Sequence, residues 1–433
     1  MDADILIVGA GVMGCSIAYS LARTGRSVVV LDKGPAAGAG STSSSSAIIR
    51  FHYSTLDGVV AAWEAKHLWS QWEEFLGGSD ESGLARFYQP GALIIDPPGS
   101  GRKERVTALF DKVGVPYEEL DADQIAGRYP ALDTGKYWPP SAVDDERFWA
   151  EPNGRIEAYL TPDAGFVDDP QLAAHNLMVA AQRHGAIFRF GCQVVRVETA
   201  GGRVTGVELA DGERLSCGVL VNAAGPFSSR LNTLAGVIDD FESVSTRALR
   251  QEVHVLPAPA GFGLDDGGVV VNDADLGTYF RPQPGGTIVV GGIEPECDPL
   301  VWIDDPDDYN PNATVSVSEA QSYRTARRIP SLSVPTRPVG LAALYDVTPD
   351  WVPIYDRTSL DGYYVAIGTS GNQFKNAPLV GRLMTTMIDA CEGGHDHDAS
   401  PLRFDCEMTG LQLDLGHFSR LRTLAETTNS VLG

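Results

Sequence analysis

Three glycines and an aspartate near the start of the chain have the types and spacing to hold a pyrophosphate and a ribose. Gly9, Gly11 and Gly14 form G-x-G-x-x-G, and Asp32 follows the last of them by eighteen residues. Gly9 permits a tight turn, Gly11 lets the backbone approach a pyrophosphate, and Gly14 lets a helix sit close to the preceding strand. Val12 and Met13 open that helix, whose free N–H groups and partial positive charge favour phosphate. Asp32 can accept hydrogen bonds from an adenosine ribose, with Lys33 beside it. Glycines alone mark nothing more than a turn, so the elements around them decide the matter.

Those elements are all present. Ile5 to Val8 is a short β-type apolar run. Val12 to Thr24 has a helical pattern with Ile17, Ala18, Leu21 and Ala22 as its apolar positions, and Ser27 to Leu31 is a second strand. Together they make a β-α-β dinucleotide-binding unit. The unit does not distinguish NAD from FAD.

Composition narrows the class. The chain has 433 residues, 43% of them hydrophobic, which is enough core for two or three domains. Its net charge of −24 disfavours nucleic acid and anionic membranes as partners. No apolar run has the length of a membrane span, and the first strand lacks the basic flank of a signal peptide. Cys15, Cys192, Cys217, Cys297, Cys391 and Cys406 show no metal or disulfide spacing and suit reduced thiols in a cytoplasmic protein. No internal repeat is evident.

Beyond the first unit, the run GPAAGAGSTSSSSAIIR at 34–50 has a flexible linker's composition. Its position, leading from the ribose acid into Ala47, Ile48, Ile49 and Arg50, suits a backbone passing close to a flat cofactor. An amphipathic helix is expected over 56–76, with Trp63, Leu68, Trp69, Trp72 and Phe75. A strand entry at Phe87 to Ile95 points to a different sheet. A helix is expected from Gln171 to His184, strands near 192–199 and 204–209, and a buried strand at 219–225 ending in small residues. The β-rich stretch 245–305 suits an antiparallel sheet domain. Helix 316–329, a strand at 362–367 and a closing helix follow. His395 and His397, flanked by Asp396 and Asp398, are expected in a solvated loop, with no metal site.

These stretches, in this order, resemble the D-amino-acid oxidase-like superfamily of FAD-dependent amine oxidoreductases, most nearly the sarcosine oxidase and dimethylglycine dehydrogenase branches. The resemblance spans the chain to about residue 390. It rests on the N-terminal unit, Gly40 to Arg50, TPDAGFVDDP, VNAAGPFSS, YFRPQPGGTIVVGGIEP, YDVTPDWVPI and GTSGNQFK. It implies an α/β fold, with a Rossmann-like FAD-binding domain of discontinuous chain path and a mixed-sheet α+β substrate domain. The expected division is 1–82, 160–236 and 336–392 for FAD, 83–159 and 237–335 for substrate, and a tail at 393–433.

The resemblance also implies roles. Ser41, Thr42, Ser43 and Ser44 would lie along the pyrophosphate and flavin, Val194 at the adenine, and Ala224 and Gly225 beneath the cofactor. Gly371, Asn372, Gln373 and Phe374 would lie near the isoalloxazine. Arg50 and Lys375 match the two cations that grip the substrate carboxylate, and a fork-shaped guanidinium with an ammonium suits that task. Lys375 is one of six lysines, and none lies between Lys136 and it. Tyr53, Tyr88, Tyr279 and Tyr345 are candidate pocket walls, and His52 is the histidine nearest the site in sequence.

Departures from the family pattern matter too. Ala342 and Ala343 stand where sarcosine oxidases carry the cysteine that bonds to flavin, and serines stand where dimethylglycine dehydrogenases carry the attaching histidine. The FAD is therefore expected to be non-covalent. Val289 stands where the oxygen-activating lysine belongs, which leaves the acceptor open between O2 and another. The implied reaction is hydride transfer from the carbon bearing the amine of a carboxylate-bearing, sarcosine-like substrate to flavin N5. It gives an imine that water hydrolyses, and no side-chain base is assigned. The alternatives are an oxidase or dehydrogenase of primary amino acids or of cyclic imino acids such as proline, a flavin subunit of an electron-transfer complex, and a nucleotide-binding protein without turnover.

Overall fold

Valine- and isoleucine-rich runs set the centre of the molecule. In the computed structural model, which describes residues 2–433, the strands Val28–Leu31 and Tyr363–Ile367 are buried at every position, as befits strands covered on both faces. They belong to an eight-stranded sheet. Its parallel part runs Ile187–Arg189, Val28–Leu31, Asp2–Val8, Arg214–Asn222 and Tyr363–Ile367, each hydrogen-bonded to the next. Val194–Ala200 and Arg203–Leu209 extend it in antiparallel fashion, and Ile354–Arg357 pairs with Tyr363–Ile367.

Small residues let the helices close on one another. Val12–Ala22 packs against both Pro170–Arg183 and Ala377–Glu392. A Cβ on Gly381 would lie 2.3 Å from the Ser16 carbonyl oxygen. The helix Pro170–Arg183 starts with proline in its first turn and the Asp169 side chain accepting from the Leu172 N–H. The expected helix over 56–76 is two helices, Leu56–Ser70 and Trp72–Leu76, separated at Gln71.

A second sheet of nine strands carries the other half of the molecule. Most of its pairs are antiparallel, among them Arg247–Pro257 with Thr287–Gly292 and Thr278–Gln283 with Thr287–Gly292. Val270–Asp273 beside Ala92–Ile95 is parallel. The expected strand entry at 87–95 divides at Gly91, whose φ is +87°. Phe87–Tyr88 joins Ile48–Ile49 and Gly165–Val167 in a small three-stranded sheet, while Ala92–Ile95 enters the large one. Gly340–Val347 pairs with Arg247–Pro257 in the nine-stranded sheet, although the expected segment 336–392 groups it with the FAD-binding domain.

Residues 393–433 pack into the body. Arg403–Asp405 and Gln412–Asp414 form a hairpin, and Phe404, Leu413, Leu415 and Phe418 are buried. The expected solvated loop at His395 to His397 needs correction at His397, which is fully buried. Its Nδ1 accepts the Leu402 N–H at 3.1 Å, and its Nε2 lies 3.7 Å from Asp356, which also binds Arg420 at 3.0 Å. Among the described residues no group of three or more His, Cys, Asp or Glu is placed to hold a metal, and no helix is long and apolar enough to cross a membrane.

Candidate cofactor and substrate site

A cavity of about 530 Å³ opens at the C-terminal ends of the parallel strands, against Val8, Leu31 and Ala223, and is closed by Asn272, Tyr279 and Tyr345 from the second sheet. That is where open α/β sheets bind ligands. Gly9 has φ +110°, and a Cβ there would lie 2.2 Å from the Ala223 carbonyl oxygen. Gly14 does not line the cavity; a Cβ there would meet the Gly9 carbonyl at 1.9 Å, so it seats the helix. Gly11, Val12 and Met13 do line it, and the helix has no acidic residue in its first turn to compete with phosphate.

Asp32 holds the turn as well as facing the cavity. Its two oxygens accept from Ala10 N and Gly34 N, each at 2.6 Å, leaving lone pairs for a ribose. Val194 and Cys192 line the cavity beside it. Lys33 turns to Asp307 and lies 3.5 Å over the Phe227 ring, so its ammonium is already engaged. The linker-like serine tract is fixed in place. Thr42 Oγ1 accepts from Val12 N at 3.0 Å, and Ser41 donates to the Leu344 carbonyl at 2.7 Å. Ser41, Thr42 and Ser44 line the cavity, whereas Ser43 donates to Gly40 and does not. Ala224 and Gly225 line it too. A ribose acceptor, a helix start free of acid and glycines that any Cβ would displace fit an extended FAD.

At the other end the chain turns at Gly371, whose φ is +67° and whose Cβ would lie 2.3 Å from the Tyr345 ring. Asn372, Gln373, Phe374 and Lys375 continue the wall. Lys375 is buried and donates to Tyr53 Oη at 2.9 Å and to the Asn372 carbonyl at 2.6 Å. Burial, then the nearby Arg50, holds its pKa well below the usual lysine value. Arg50 is buried as well, and burial lowers its pKa. It donates to the carbonyls of His52 at 3.1 Å, Leu432 at 3.0 Å and Val431. The two cations lie 4.9 and 5.1 Å from the centre of the same Tyr53 ring. All these acceptors are neutral oxygens.

Tyr279 and Tyr345 line this end. Tyr279 shares a 2.5 Å hydrogen bond with Ser46, and burial pushes its phenol up to about 12. His52 does not reach the cavity. Its Nε2 pairs with Asn272 Nδ2 at 2.8 Å, and Asn272 lines the wall. Burial, with the cations Arg50, Arg102 and Lys375, holds the imidazole well below its ordinary pKa. Tyr53 stands behind Lys375, and Tyr88 stacks on Phe166 away from the cavity.

Sequence reasoning missed four residues here. Asp346 lines the cavity as a buried carboxyl raised to about 7 by burial, accepting from Gly368 N at 2.6 Å. Val431 and Leu432 form part of the wall although they lie some 380 residues from Arg50 in sequence. Glu294 sits behind them with a non-glycine φ of +53°, accepting from Val431 N at 2.8 Å; burial raises its carboxyl to about 8. Only the left-handed backbone at Glu294 hints at special use, and sequence does not show φ.

A family model described as FAD dependent oxidoreductase matches residues 4–387. The chain is 23% identical over 415 residues to the FAD-dependent oxidoreductase domain-containing protein 1 of Xenopus laevis, covering 89% of this chain and 79% of that one. It is 26% identical over 420 residues to the sarcosine oxidase subunit beta of Rhizobium meliloti (strain 1021), covering 95% and 90%. The crystal structure of L-proline dehydrogenase from P. horikoshii superposes with a TM-score of 0.76 at 22% identity, covering 97% of both chains.

Proposed function

This chain belongs to the family of FAD dependent oxidoreductases, and from that premise we propose that it oxidises the C–N bond of a small amine bearing a carboxylate, with N-methyl and other secondary amino acids as the preferred class. The observation that carries the reading is the pair Arg50 and Lys375, two buried cations at one end of the cofactor cavity whose hydrogen bonds all go to neutral oxygens. Buried charges without counter-charges are costly, and a bound carboxylate relieves both.

Bound FAD supplies the hydride acceptor at N5 of its ring. The chain's own part is placement. Arg50 offers a planar fork and Lys375 a point charge, so a carboxylate held between them fixes the direction of the carbon bearing the amine. Tyr279 and Tyr345 wall this end and, with phenols raised by burial, stay neutral. His52 lies outside the cavity behind Asn272, to which its Nε2 is hydrogen-bonded, so it serves as a positioning group.

FAD is held without a covalent bond in this reading. Among the described residues that line the cavity there is no histidine, and the one thiol, Cys192, is beside Asp32 at the ribose end. Ala343 lines the wall where a cysteine would attach. Acid precipitation should leave the flavin in the supernatant, and a yellow pellet would contradict the assignment. The resemblance leaves the electron acceptor open between O2 and another, and re-oxidation of the reduced flavin decides between them. Anaerobic mixing with N-methylglycine, proline and primary amino acids tests the whole reading, with air and a dye as competing re-oxidants. Bleaching by secondary amino acids and none by dimethylamine is expected. Equal bleaching by amines lacking a carboxylate would sink the proposal.

A further inference from the structure

Residues 427–433 cross the cation end of the cavity as a strap. Its base is fixed: Arg422 and Asp350 pair at 2.8 Å, both buried, and Thr427 Oγ1 donates to the Asp350 carbonyl at 2.8 Å. Asn429 then takes a left-handed φ of +50° and turns the chain inward. Ser54 Oγ donates to the Gly433 carbonyl at 2.8 Å.

Between these anchors the strap makes an unusual set of bonds through one residue. The Val431 N–H donates to Glu294 Oε2 at 2.8 Å, while the Val431 carbonyl accepts from Arg50. The Leu432 carbonyl takes a second donor of the same guanidinium at 3.0 Å. Glu294 Oε1 is buried and has no hydrogen-bond partner. Thus a carboxyl grips the nitrogen side of Val431 and a guanidinium its carbonyl side, across N, Cα and C. An α-amino acid carries its amine and carboxylate on the same three-atom frame.

We infer that Val431 occupies the position of an amino-acid substrate, that the strap must lift for substrate to bind, and that Glu294 receives the substrate's amine while Arg50 receives its carboxylate. The inference rests on the proposed carboxylate site at Arg50 and adds the opposite pole to it. Lifting the strap strips a buried guanidinium of two of its three acceptors and a buried carboxyl of its donor at once. A zwitterion replaces both bonds with charge-assisted ones, and the idle Oε1 can accept a second N–H. Acetate or methylamine repairs one pole and leaves the other bare. The strap therefore acts as a selectivity device, favouring ligands that carry both groups one carbon apart.

The test follows amide hydrogen exchange of residues 429–433 in the FAD-loaded full chain, with equilibrium dialysis of N-methylglycine and of acetate. Saturating N-methylglycine should speed exchange at Val431 and Leu432 by about tenfold or more, and acetate far less. Glu294→Gln should weaken N-methylglycine about tenfold while leaving acetate unchanged, a split that a purely structural role would not produce. A chain lacking residues 430–433 should bind both ligands more tightly. If N-methylglycine binds with the strap's exchange unchanged, the displacement is wrong while the carboxylate site stands. If Glu294→Gln weakens both ligands alike or neither, the amine assignment is wrong. If Arg50→Met leaves both affinities intact, the underlying carboxylate site is wrong as well.

Discussion

Side chains in this site carry charges that burial opposes, and their responses to substitution and pH follow from that. Arg50→Lys keeps the charge but loses the fork, so the KM for a carboxylate substrate should rise about ten- to a hundredfold, measured from initial rates of flavin reduction. Asp346 gives a pH test with a definite sign. Burial lifts its carboxyl from the ordinary 3.8 to about 7, so the folded chain keeps a proton that the unfolded chain has already lost. Its contribution to stability is therefore present below about pH 4, and is lost as pH rises through about 7. Asp346→Asn retains an oxygen to accept from Gly368 N and removes the titration. Its melting temperature should fall less between pH 5 and 8 than that of the unaltered chain; parallel curves would refute the assignment.

At the level of elements, the site depends on two turns whose backbones admit only glycine comfortably. Gly371→Ala places a methyl into the Tyr345 ring at a φ of +67°, and should cost about 1 kcal/mol or more from the backbone alone. Removing the ring with Tyr345→Ala should recover the steric part and leave the backbone part, which urea unfolding of the double variant would read. The β-α-β unit and the turn at Gly371 were legible in sequence because their meaning is local: spacing within some thirty residues fixes what glycine and aspartate can do. The serine tract was legible by position, since chain following a ribose acid has few places to go. The sheet membership of Gly340–Val347, which pairs with Arg247–Pro257, was not legible, because nothing local in a sequence says which of two sheets receives a strand. Glu294 and Val431 were invisible for a related reason, as their bonds join residues 137 apart with no periodicity to mark them.

Across the whole molecule, two sheets close over one elongated cavity, and an ionic clasp joins them at the ribose end. Lys33 meets Asp307, and Arg230 meets Asp305 and Asp307, both at 2.7 Å. These pairs are partly exposed, so each contributes at most about 1 kcal/mol and is weakened by salt. Flavin release should accelerate with NaCl, by less than about tenfold, and Asp307→Asn should flatten that dependence; a salt-independent rate in the unaltered chain would show that the clasp does not gate release.

The walls of the cavity draw on residues from Val8 to Leu432, and this bears on how the protein is made. A ribosome-bound chain that has delivered both the glycine turn and the serine tract still lacks the turn at Gly371 and the strap. Such long-range closure is slow to form, and the binding surface exists only once the late segments dock. Cofactor uptake is then a final step of biogenesis. By binding only the completed fold, FAD stabilises it by an amount that grows with the logarithm of its free concentration, so chains that have not yet taken up flavin are expected to be the ones most open to unfolding and degradation.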